Sequence, residues 1–273
     1  MNRRQATMQE TPTWGAAMGE SAMVGESAPV VLVTGSCGGI GKVTADLFAK
    51  HHYRLALTDL DLDQVSEQAS RLAEQGVDVE GFACDITDAH SVGRLFDRVI
   101  DRFGRIDAAF NNAGRGGGAV PLTETEDDLW HACIQVNLTG TFLCMKQELK
   151  IMSAQGYGSI VNNCSILGLH GGASAPYTAS KHGIAGLTKT GALSYASKGI
   201  RVNAVCPGLI DAGLGLKVLS RPPEVVRSLI DMHPMARPGT AAEVASAVVW
   251  LSSPEASFIN GHMLSIDGGY GCH

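Results

Sequence analysis

From Pro29 onward, short apolar runs alternate with helix-patterned segments, and this alternation most constrains the fold. The apolar runs fall at 30–34 (VVLVT), 54–59, 79–85, 106–114, 159–165, 200–207 and 262–269. Helical periodicity fills the gaps at 42–51, 63–75, 91–104, 124–152, 177–197 and 242–253. Strands that are apolar on both faces must be covered on both faces, and strands separated by helices pair in parallel. Right-handed crossovers then predict an α/β fold, a doubly wound sheet of about seven parallel strands with helices on both faces. No linker-like composition interrupts 29–273, so the expectation is a single domain. Residues 1–28, polar and rich in Gly, Ala, Met and Ser, are expected to form a flexible N-terminal extension.

The formal charge of −6 leaves no basic footprint, so nucleic acid is not an expected partner. No apolar run reaches the roughly 18 residues needed to cross a bilayer, and the N-terminus lacks the hydrophobic region of a secretory signal. The seven cysteines form no CxxC pair and no cluster with histidine, which predicts free thiols in a reducing, cytoplasmic setting and no metal site.

Between the first strand and its helix lies TGSCGGIG, residues 34–41. Glycine is favoured where backbone must approach a diphosphate and where a turn needs positive φ. The helix that follows offers free N–H groups and the positive end of its dipole. A Rossmann-type nucleotide site is therefore expected across the carboxyl ends of the first four strands. Asp59 closes strand two, 18 residues past Gly41, where a carboxylate can accept from adenosine ribose hydroxyls and repel a 2′-phosphate. With Leu60 beside it and no Arg or Lys in the turn, NAD is expected rather than NADP. The competing role for Asp59 is a helix N-cap, although Asp61 and Asp63 can serve there.

Taken together, the motifs resemble those of the short-chain dehydrogenase/reductase family from Pro29 to the C-terminus. Gly35, Gly39 and Gly41 match its T-G-x-x-x-G-x-G turn, with Ser36 and Ile40 between them. Cys84-Asp85-Ile86 resembles the adenine-contacting segment, and Asn111-Asn112-Ala113-Gly114 is similar to N-N-A-G beside the adenosine. Tyr177-Thr178-Ala179-Ser180-Lys181 resembles Y-x-x-x-K, and Pro207-Gly208 with Ile210 resembles the segment at the nicotinamide carboxamide. The resemblance implies hydride transfer between nicotinamide and a secondary alcohol or ketone, in a homotetramer packed through the helices at 124–152 and 177–197.

Such chemistry needs a group that takes or returns the hydroxyl proton. A free phenol ionises only near pH 10, so its anion needs a neighbouring positive charge, and Lys181 lies one helical turn beyond Tyr177 on the same face. Ser165 opens S-I-L-G, resembling the family's S-x-x-G, whose serine orients the substrate oxygen. Its interval to Tyr177 is one residue shorter than usual. Strict counting lands on Cys164, whose thiol is a weak partner, so we read a shortened loop and keep Ser165. Asn137 aligns with the asparagine thought to hold a proton-relay water, and Ala212 stands where the family often has threonine.

Residues 211–238, irregular and holding Pro222-Pro223, are a candidate lid. Leu214, Leu216, Met232 and Met235 are expected either to line an apolar pocket there or to be buried, with Gly116–Gly118 flanking it. Two other readings stand beside the enzyme: a catalytically idle NAD-binding sensor or scaffold, and an NADP-linked ketoreductase.

Overall fold

The computed structural model describes residues 28–272. Seven strands form one parallel sheet: β1 (Val30–Thr34), β2 (Arg54–Asp59), β3 (Val79–Ala83), β4 (Ala108–Asn111), β5 (Gly158–Asn163), β6 (Ile200–Pro207) and β7 (Met263–Ile266). Their order is β3-β2-β1-β4-β5-β6-β7, so the winding reverses between β1 and β4 and opens a crevice at the carboxyl edge there. This is the expected Rossmann-like, doubly wound architecture. Successive β1 residues feed opposite cores, Val30 and Leu32 on one face, Val31 and Val33 on the other. The first core joins α3 (Ala89–Phe103), α5 (Thr141–Gln155) and α6 (Ala175–Tyr195) through Phe96, Met152 and Ala192. The second joins α1 (Gly39–Lys50), α2 (Leu62–Ala73) and α9 (Ala241–Ser252) through Phe48, Val65 and Val248.

The strand positions follow the apolar runs, and several ends differ for local reasons. The fourth strand stops at Asn111 because the N–H groups of Asn112 and Ala113 turn to the Thr34 hydroxyl, at 3.0 and 3.1 Å. The third, fifth and seventh strands also end before 85, 165 and 269. The helix expected over 124–152 is not continuous. A 3₁₀ turn (Leu122–Glu124) precedes α4 (Asp127–Ile134), and a π-helical turn (Gln135–Gly140) joins α4 to α5. Gly140 sits at this break with no space for a side chain, since a Cβ there would lie 2.6 Å from Ile86 Cδ1. The segment 211–238 is less irregular than expected and contains α7 (Leu214–Leu219) and α8 (Pro223–Asp231). Pro222 and Pro223 start α8, where a missing N–H leaves no bond broken. The expected extension, apart from Ala28, lies outside the described residues.

A buried polar chain crosses the first core. Glu148 Oε2 accepts from Asn111 Nδ2 at 3.0 Å. The same amide donates to Asn162 Oδ1, and Asn162 Nδ2 donates to Thr188 Oγ1, each at 3.0 Å. Glu148 Oε1 and Asn111 Oδ1 find no hydrogen-bond partner among the described residues. Burial pushes the Glu148 carboxyl up to about 8, and the neutral acid carries the O–H donor that a carboxylate lacks. The folded chain thus retains a proton that the unfolded chain releases above the ordinary carboxylate range. Stability contributed by the neutral acid is complete in mild acid and declines as pH rises toward 8, by about 1.4 kcal/mol per unit. Glu148→Gln cannot ionise. Thermal melts from about pH 5 to about pH 9 are expected to show the wild-type Tm falling more steeply than the variant's; parallel curves would contradict this.

Candidate active site

A groove of about 480 Å³ runs along the carboxyl ends of β1 to β6. Gly35, Gly39 and Ile40 border it from the glycine turn, Asp59, Leu60, Asp85 and Ile86 from the next two strand ends. Asn112, Ala113 and Gly114 form its floor, with Ser165, Tyr177 and Lys181 toward β5 and Pro207, Gly208 and Ile210 toward β6. Three expected residues stand behind this surface: Ser36, Gly41 and Asn137, all buried.

The glycine turn is shaped by space as much as by torsion. Gly35 and Gly39 have φ of 61° and 50°. A Cβ on Gly35 would lie 2.8 Å from Ala113 Cα, and one on Gly41 would overlap the Gly35 carbonyl oxygen. Gly38 caps α1 without a side chain, and the first turn of α1 carries no acidic residue. The leading N–H groups and the positive dipole end are thus left without a protein anion. Asp59 Oδ2 accepts from the Cys37 N–H at 2.9 Å and Oδ1 from the Leu60 N–H at 2.8 Å. Asp61, not Asp59, caps α2, accepting from Asp63 and Gln64. Burial and the Asp59 charge push the Cys37 thiol up to about 11, so it stays neutral beside the turn. Asp85 is held by one oxygen, which accepts from both the N–H and the hydroxyl of Thr87.

The Asn112 side chain is committed to the protein. Its Nδ2 donates to the carbonyls of Thr34 and Gly35, at 3.2 and 2.8 Å, and its Oδ1 accepts from Asn163 Nδ2 at 2.9 Å. It therefore positions the turn. Asn163, which the sequence reading did not single out, borders the groove and offers its carbonyl to Lys181 Nζ at 2.6 Å. Its signal was a second polar residue at the end of an apolar strand. Hydrogen bonds thus run unbroken from the glycine turn to Lys181.

Tyr177 stands in the first turn of α6, behind Pro176, and Lys181 Nζ lies 5.4 Å from the Tyr177 ring centroid. Lys181 is otherwise buried. Ser165 caps the 3₁₀ turn Ile166–Gly168, its Oγ accepting from Leu167 N–H at 3.1 Å. The Cys164 thiol instead donates to the Lys181 carbonyl at 3.2 Å. Ser165 therefore supplies the hydroxyl at this point of the groove. Asn137 Oδ1 accepts from Arg115 N–H at 2.8 Å, and its Nδ2 donates to the Arg115 carbonyl and to Ser180 Oγ at 3.0 and 3.1 Å. This side chain ties the segment after Gly114 to the residue before Lys181. Gly117 presses on the start of α6, where a Cβ would lie 3.0 Å from Tyr177 N.

On the opposite wall, Gly213 Cα rests against Gly39, 2.9 Å from where a Cβ would project. Ala212, Leu214 and Lys217 border the groove from this side. Lys217, a lone cation within an otherwise apolar run, also escaped the sequence reading. Leu214, Leu216, Met232 and Met235 are exposed, so ordinary burial is not their role. Among the described residues, no group of His, Cys, Asp and Glu is gathered to hold a metal, and no helix is long and apolar enough to cross a membrane.

Comparison with known proteins adds to this geometry. A family profile described as Enoyl-(Acyl carrier protein) reductase matches residues 35–271. The chain is 40% identical over 242 residues to a cis-4-hydroxycyclohexanecarboxylate dehydrogenase of Sinomonas cyclohexanicum, covering 88% of this chain and 96% of the relative. Among solved structures it is similar to an NAD⁺-bound xylitol dehydrogenase, with TM-score 0.83, 36% identity and coverage of 88% and 98%. It is also similar to an actinorhodin polyketide ketoreductase variant with NADPH, with TM-score 0.86, 34% identity and coverage of 92% and 100%.

Gly168 gives a direct test of how the serine turn seats on α6. A Cβ there would overlap Cys164 Sγ and lie 2.8 Å from the Lys181 carbonyl oxygen. Gly168→Ala is expected to lower Tm by several degrees, equivalent to about 1–3 kcal/mol of overpacking. Adding Cys164→Ala should recover part of the loss, because only the backbone clash then remains. Calorimetry of the single and double variants checks both statements.

Proposed function

The chain belongs to the short-chain dehydrogenase/reductase family, and from that premise we propose that this oxidoreductase uses NAD to interconvert a secondary alcohol and its ketone. The observation that carries the reading is the arrangement of Tyr177, Lys181 and Ser165 on one groove with the glycine turn. The groove suits a dinucleotide. The uncapped start of α1 offers N–H groups to a diphosphate, and glycine at 35 and 39 lets the turn hold its positive φ while packed against Ala113 and Gly213. When bound, the nicotinamide supplies the hydride acceptor or donor. Asp59 keeps accepting capacity beyond its two N–H bonds, suited to ribose hydroxyls.

The protein's own part is proton management. In the oxidising direction the Tyr177 oxygen takes the proton of the substrate hydroxyl, and in the reducing direction it returns one. The Lys181 ammonium, fixed to the Asn163 carbonyl, stabilises the phenolate that this exchange requires. Ser165 Oγ–H orients the substrate oxygen. Asn137 bonds the Arg115 backbone and the Ser180 hydroxyl, one residue before Lys181, which supports a positioning role beside the proton path. The similarity to a hydroxycyclohexanecarboxylate dehydrogenase favours a secondary alcohol on a small alicyclic ring. Phe142 on α5 and Leu193 on α6 stand exposed, which favours packing of these helices against further copies in a homotetramer. Five buried free cysteines suit the reducing cytoplasm.

Tyr177→Phe tests the mechanism. Calorimetry should find NAD binding retained, while turnover with cyclohexanol-type substrates, followed at the reduced-nicotinamide absorbance, falls by about 10²–10⁴-fold. Comparable turnover in the variant would overturn the assignment. Asp59→Ser tests the cofactor preference: the ratio of kcat/KM for NAD over NADP should drop by about tenfold or more, since the carboxylate both attracts the ribose and repels a 2′-phosphate.

A further inference from the structure

Three segments distant in the chain meet on the buried imidazole of His233, at the carboxyl end of α8. The first is the groove wall: Leu209 N–H donates to His233 Nε2 at 3.2 Å. The second is α8 itself, whose Leu229 carbonyl lies 2.9 Å from Nδ1. A backbone N–H can only donate and a carbonyl can only accept, so Nε2 carries the lone pair and Nδ1 the hydrogen. The third is the turn after β7, where the Tyr270 ring lies 5.2 Å from the His233 ring and 5.7 Å from that of His170, which follows the serine turn.

The fit at the wall is tight. A Cβ on Gly208 would lie 2.8 Å from His233 Nε2, so glycine there lets the imidazole reach Leu209. Gly208 N–H donates to the Ile266 carbonyl at 3.0 Å, so the wall is clamped from β7 on one side and from His233 on the other. This wall lies beside the serine turn, because Cys164 N–H donates to the Val205 carbonyl at 2.9 Å, two residues before Pro207. The clamp therefore acts at the end of the groove that holds the reacting side chains, far from Asp59.

We propose that His233 is a positioning residue, a latch that ties the α7–α8 segment to the Pro207–Ile210 wall and sets that wall to receive the nicotinamide end of the cofactor. It rests on the reading of the groove as a nicotinamide-dinucleotide site. His233 touches neither cofactor nor substrate and works through the backbone of Leu209. Its loss should therefore be felt by the nicotinamide half alone. A merely structural residue would weaken every ligand alike.

The test compares NAD with ADP-ribose, which lacks the nicotinamide, by calorimetry on the full-length protein. For His233→Phe the expected result is a Kd for NAD raised by about tenfold and a Kd for ADP-ribose within about twofold of wild type, the scale of one lost hydrogen bond. His233→Gln, whose amide oxygen can accept from Leu209 N–H, should restore part of the NAD affinity. Gly208→Ala, which leaves His233 in place and pushes on Nε2, should reproduce the selective loss and serves if the Phe variant fails to fold. Equal weakening of both ligands, or no change in either, overturns the latch while wild-type binding keeps the cofactor reading intact. Wild-type protein that binds neither ligand overturns the cofactor reading, and the latch with it.

Discussion

Two side-chain amides stitch the carboxyl ends of β1, β4 and β5 together, and the geometry of the groove depends on that stitch. Parallel neighbours are hydrogen-bonded along their lengths, but beyond the last ladder bond nothing in a sheet fixes how its chain ends diverge. Asn112 spans the gap by donating to two carbonyls of the glycine turn and accepting from Asn163. The Asn163 carbonyl then sets the position of Lys181. The glycine turn and Lys181 are consequently parts of one hydrogen-bonded assembly, although they arise from segments more than a hundred residues apart in the chain. Partial burial makes these contacts stronger than they would be in water.

The architecture was legible because its signal is redundant. The apolar runs are short and segments of helical periodicity separate them, so strand type and parallel pairing both follow from the pattern. The glycine turn, Asp59, Tyr177 and Lys181 could be placed on one edge for the same reason, since each terminates or begins a recognisable element. What resisted reading depends on contacts between distant residues. The break at Gln135–Gly140 has no proline to announce it; it follows from Asn137 holding the backbone of Arg115 and from Gly140 pressing on Ile86. The end of the fourth strand at Asn111 is set by Thr34, far back in sequence. Asn163 and His233 carried no motif, and their roles emerge only from what they touch.

Cys164 and Ser165 show how a spacing argument and a structural one differ. Counting along the sequence treats the two as rival positions for one hydroxyl. In three dimensions they do different jobs one residue apart: the thiol anchors to the backbone at Lys181, and the hydroxyl caps the turn that borders the groove. Gly168 lets the turn that follows Ser165 sit directly on α6. Leu214, Leu216, Met232 and Met235 in and after α7 and α8, by contrast, stay exposed. Of the four, Leu214 borders the groove.

The π-helical turn has a consequence for how this segment tolerates change. An α-helix advances about 100° per residue, so the one extra residue held in a π turn rotates everything after it by about that angle. That rotation brings Cys144, Met145 and Met152 onto the sheet while α4 keeps its own facing toward α6. Removing one residue between 135 and 140 would regularise the helix and swing this entire stripe toward solvent. Substitutions that preserve length leave the phase alone. Residue count, more than residue identity, thus sets the facing of α5 along this stretch.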